Sequence, residues 1–97
     1  MKSEESVVEL MKTVRRTRTA MEQCEQDMVN NGCEEALVNS FRDTLLQGKP
    51  VRYVFPKESE LRNKLLGDLE KAVMELRMAE QKALAQFRKE AIHASAR

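Results

Sequence analysis

A chain of 97 residues and 11.2 kDa buries only roughly 60 to 68% of its unfolded surface, which leaves no room for a second core. Ala, Glu, Lys, Leu and Arg make up about half of it, the composition of long helices and coiled coils and not of sheets. Its 17 basic and 16 acidic side chains leave a net charge of +1, which excludes the global positive field of a protein held to nucleic acid by charge alone.

The first helix is predicted over residues 4–30, with Ser3 as N-cap and Glu4 and Glu5 against the positive end of the helix dipole. Val7, Leu10, Val14, Met21, Cys24 and Met28 fall on the a and d positions of a heptad repeat whose one gap is Thr17. Asn30-Asn31-Gly32 interrupts it: two weak helix formers are followed by the commonest C-terminal cap. A second helix over 34–47 gathers Leu37, Val38, Phe41, Leu45 and Leu46 on one face and stops at Gly48 and Pro50. The connector over 48–56 alternates Val51, Tyr53 and Phe55 with Arg52 and Val54, which favours extended backbone.

Residues 57–94 read as one long helix, with Leu61, Leu65, Leu66, Leu69, Val73, Leu76, Ala83 and Phe87 at three- and four-residue steps. Two heptad registers fit it almost equally: Leu66/Leu69/Val73/Leu76/Ala83/Phe87 and Leu65/Leu69/Ala72/Leu76/Ala79/Ala83. A stripe that wide wants two neighbours. The fold class is therefore all-α: one elongated domain over 1–97, an antiparallel helical hairpin or three-helix bundle with coiled-coil character. The economical arrangement stacks the first two helices end to end along the third. Residues 1–48 carry 6 basic and 9 acidic side chains and residues 49–97 carry 11 and 7, so the halves attract one another weakly.

Chemistry is sparse. The one histidine, His93, lies near the C-terminus, no Gly-rich phosphate loop occurs, and no nucleophile–base pair can be assembled, so an enzyme is not expected. Glu90-Ala91-Ile92-His93 has the Glu-x-x-His spacing of di-iron bundles, but in one copy where two are needed. No metal or other cofactor is expected. Cys24 and Cys33 lack C-x-x-C spacing, which favours a reduced intracellular chain over a bridge around Gly32. No apolar run reaches signal-peptide or membrane-span length, so the expected location is the cytoplasm or nucleus, without membrane insertion.

Lys12, Arg15, Arg16 and Arg18, and again Lys82, Arg88, Lys89 and Arg97, form basic clusters. Interleaved acids make solvated faces with i,i+4 pairs the better reading, and stacking aromatics are missing. Met11, Met21, Met28, Met74 and Met78 read as core filler. Lys49 to Pro56 holds two of the chain's four aromatics, with basic neighbours, so it either closes the core or docks a partner. The expected function is a non-enzymatic protein–protein interaction module, that is, a small complex subunit, adaptor or chaperone-like helper. It would pack helices against a protein partner or against itself as a homodimer. The expected partner-binding residues are Arg52, Tyr53 and Phe55 in the connector and Leu65, Leu66, Leu69, Val73 and Leu76 on the long helix. The alternative is a nucleic-acid-associated helical protein using the basic clusters.

Overall fold

The computed structural model describes residues 6–56 and 59–95. It contains helices α1 (Val7–Asn30), α2 (Glu35–Leu46) and α3 (Glu60–Ser95), with 82% of the described residues helical and no strand among them. The molecule measures 61 × 22 × 22 Å, and α3 sets its long axis at about 54 Å for 1.5 Å per residue. The all-α three-helix reading holds.

The expected N-cap Ser3, with Glu4 and Glu5, lies outside the described residues; the helix that follows is capped by Ser6. Its Oγ accepts from the Glu9 N–H at 3.2 Å, and Ser6-Val7-Val8-Glu9 has the spacing of a capping box. α1 runs antiparallel to α3, for Arg18 meets Glu80 and the Asn31 carbonyl meets Arg62. The heptad positions Leu10, Val14, Met21 and Met28 are buried in that seam. Thr17, the gap in the repeat, is buried with them. Its hydroxyl makes hydrogen bonds to the Thr13 and Val14 carbonyls at 2.9 and 3.0 Å, so no polar atom is left unsatisfied at this point of the core. Both heptad registers of α3 are used: Leu66, Leu69, Val73 and Leu76 are buried together with Ala72, Ala79 and Ala83.

α1 and α2 end in the same way. The Cys33 N–H donates to the Met28 carbonyl and the Gly32 N–H to Val29, both at 3.0 Å; the Lys49 N–H donates to Thr44 at 3.2 Å and the Gly48 N–H to Leu45 at 3.0 Å. These are two Schellman motifs, whose C′ residue must take positive φ. Gly32 and Gly48 do so at 93° and 80°. Each glycine also admits an arginine of α3: a Cβ on Gly32 would come within 2.5 Å of Arg62 Nη2, and one on Gly48 within 2.9 Å of Arg77 Nη2. Arg62 Nε donates to the Asn31 carbonyl at 2.8 Å. Cations thus rest on the negative ends of both helix dipoles.

The break at Gly32 is a full reversal. α2 lies alongside the second half of α1, with Arg42 Nη1 at 2.9 Å from Glu25 Oε1, and is not stacked beyond α1 as the economical arrangement had it. The connector then runs back from Gly48, beside Arg77, to Phe55, beside Asn63. α3 therefore has α1, α2 and the connector around its first half, and α1 alone beside its second. The leucine stripe Leu66/Leu69/Val73/Leu76 is covered within one chain, so the physical motive for self-association along that stripe disappears.

Candidate functional site

The connector divides its aromatics between core and surface. Phe55 is 6% exposed. Its N–H donates to Asn63 Oδ1 at 2.7 Å, and Asn63 Nδ2 donates back to its carbonyl at 3.1 Å. One side-chain amide thereby satisfies both backbone groups of a residue that extended backbone leaves unpaired. The ring stands edge-on to Phe41 at 6.2 Å and to Tyr53 at 4.9 Å, and Tyr53 lies 5.4 Å from Phe41. Tyr53 remains 45% exposed and Val54 83%; Arg52 is exposed as well.

Of the residues expected to bind a partner, Arg52 and Tyr53 are at the surface, and Leu65 is half-buried against the core. Phe55, Leu66, Leu69, Val73 and Leu76 are inside. Their place in the sequence pattern is that of a seam, and within a single chain α1, α2 and the connector fill that seam.

Two clefts flank α2. One, of about 330 Å³, lies among Leu45, Gly48, Val51, Val73, Met74 and Arg77 at the C-terminal end of α2. The other, of about 350 Å³, lies among Glu22, Glu25, Val29, Val38 and Arg42 between α1 and α2. Burial works against the Arg42 cation, but the hydrogen bonds and charges of Asp43 and Glu25 outweigh it and raise its pKa. The first cleft is apolar with a charged rim, and neither brings a nucleophile to a base.

Beyond α2 the molecule is two helices wide. There Met11 on α1 and Met78, Leu84, Phe87 and Ile92 on α3 are exposed. Leu84 falls on neither heptad register of α3, while Phe87 ends one of them and emerges from the seam at 59% exposure. The sequence signal that would have found this surface is the smallness of Ala79 and Ala83, the buried residues of α3 here. With so little volume in the seam, large neighbours remain outside it.

Cys24 and Cys33 are free. Burial first, and then the carboxylates of Asp68, Asp27 and Glu25, push the Cys24 thiol above its ordinary value of 9.0. Burial also raises Cys33, against the pull of Arg62. Both are therefore thiols at neutral pH, which is the unreactive form. Alkylation at pH 7.5 should be slow for both until denaturant is added. Because the folded values lie above the unfolded ones, the folded chain holds these protons longer. Their contribution to stability is complete below about pH 9 and is lost as the pH rises through the folded values. Chemical denaturation from pH 7 to 10 should show a falling midpoint, and the fall should be shallower in Cys24→Ser/Cys33→Ser.

Among the described residues no three His, Cys, Asp or Glu side chains are grouped to hold a metal ion; the His93 side chain lies outside them. No helix among them is long and apolar enough to cross a membrane. Comparison with protein-family models, curated proteins and solved structures finds no match to this chain.

Proposed function

We propose that this protein is a non-enzymatic interaction module that binds another protein by helix packing. The observation that carries the reading is the unequal bundle: three layers close the core around Phe41, Phe55 and Leu69, while the two-helix end leaves Leu84 and Phe87 on the surface. A bundle that needed only to fold would gain by covering or replacing those side chains, since exposed apolar groups contribute nothing to stability and invite association. Arg52, Tyr53 and Val54 supply a second exposed patch at the other end, of the aromatic-and-basic kind that interfaces favour. The working place is the cytoplasm or nucleus, where free thiols persist.

Site-specific photo-crosslinking tests this reading. A benzophenone side chain at position 84 or position 53, irradiated in native extract, should give discrete protein adducts that mass spectrometry identifies. Adducts with RNA alone would instead favour a nucleic-acid-associated protein. That second reading draws on Lys12, Arg15, Arg16 and Arg18, which face only Glu9 among the acids of the first half of α1.

A further inference from the structure

The two-helix end continues the seat of α2. On α3, Val73 and Arg77 line the cleft at the end of α2, and further steps of three and four residues from Arg77 reach Glu80, Leu84 and Phe87. On α1, Val29, Glu25 and Glu22 line the cleft beside α2, and the same steps from Glu22 reach Arg18, Arg15 and Met11. The two stripes face each other past the end of α2, for Arg18 Nη2 lies 3.5 Å from Glu80 Oε2 across the gap. Beyond α2 the shallow groove between the two helices thus carries the exposed side chains of Met11, Leu84 and Phe87, and the α3 stripe from Arg77 to Ala91 spans about 21 Å, roughly four helical turns.

The charges of the groove say what fits it. Beside α2 the α1 stripe is acidic, with Glu22 and Glu25, and α2 answers with Arg42 at 2.9 Å from Glu25. Beyond α2 the α1 stripe turns basic: Arg18 is matched by Glu80 across the gap, which leaves Arg15, and Arg88 follows on α3. Arg15 and Arg88 have no ion pair among the described residues. A second copy of this chain would meet the groove with the same basic end under two-fold pairing, so like charges oppose it. We propose that the groove binds an amphipathic helix of another protein, about four turns long, with aliphatic residues on one face and Asp or Glu flanking them. This helix takes the position over α1 and α3 that α2 holds at the other end. The inference rests on the interaction-module reading and names its surface and its partner's chemistry.

The test uses the full chain and three labelled synthetic peptides of about 15 residues. One carries a leucine stripe flanked by Glu, one the same stripe flanked by Lys, and one the Glu composition scrambled. Fluorescence anisotropy at low salt should show the Glu-flanked helix binding at least roughly tenfold more tightly than either control, a preference that added salt erodes. Leu84→Gln/Phe87→Gln should lower that affinity by roughly tenfold or more, with an unchanged thermal midpoint because both side chains are already exposed. Arg15→Glu/Arg88→Glu should reverse the preference toward the Lys-flanked peptide. Equal binding of all three peptides, binding indifferent to both double variants, or a concentration-dependent dimer that excludes the peptide would each overturn the proposal. Retention of the peptide preference by the groove variants but loss on Tyr53→Ala would move the site to the connector and leave the interaction-module reading standing. Single-stranded RNA that displaces the Glu-flanked peptide and is itself lost on Arg15→Glu/Arg88→Glu would overturn both.

Discussion

Leu69→Glu is expected to leave the chain unfolded at room temperature. Leu69 is 0% exposed in the half of α3 that both α1 and α2 cover, and both heptad registers pass through it. The substitution removes a buried aliphatic side chain, worth about 2 to 5 kcal/mol on truncation alone, and puts a carboxylate into the apolar core cluster, at a further cost of several kcal/mol. A domain of this size has only about 5 to 15 kcal/mol to lose. The neighbouring surface supplies the control: Leu84→Glu on the same helix, 49% exposed, should change stability by no more than about 0.5 kcal/mol. Circular dichroism melts of the two variants should therefore differ in kind, one without a cooperative transition and the other close to the parent. A native-like melt for Leu69→Glu would mean that the seam described for α3 is wrong.

The second large effect separates two neighbouring aromatics. Phe55→Ala should cost about 3 to 5 kcal/mol, because the ring is inside, edge-on to Phe41, and its loss opens the end of the core. Tyr53→Ala should cost about 1 kcal/mol, the worth of ring contacts made at a half-exposed surface. Urea denaturation gives the comparison directly. Equal large losses would place both rings in the fold, and equal small ones would return Phe55 to the surface as a docking residue. Under the arrangement described, Tyr53 alone is available to a partner, beside Arg52 and Val54.

What could be read from the amino-acid sequence was whatever depends on near neighbours along the chain. The heptad positions of α1, the interruptions at Gly32 and Gly48 and the wide stripe of α3 were all legible, because apolar periodicity and the positive φ of a C′ residue are properties of a few consecutive residues. Even the gap at Thr17 followed the rule, since its hydroxyl bonds within its own helix. The cap at Ser6 was legible as well: Glu9 three residues on gives it the capping-box spacing that Ser3, followed by Ser6 at that place, lacks.

Only the tertiary structure decided the direction taken after Gly32. A Schellman turn ends a helix but does not say where the next one goes. α2 folds back because Val38 and Phe41 bury their side chains in the common core, with Phe41 meeting Phe55 and Arg42 meeting Glu25, contacts between residues far apart in sequence. The same holds for Phe55, whose inward place depends on Asn63 and Phe41 and not on the alternation of the connector. Once α2 and the connector cover the first half of α3, the leucines that look most like an interface become core. The surface left open moves to Leu84 and Phe87, since a helix of 12 residues cannot cover one of 36.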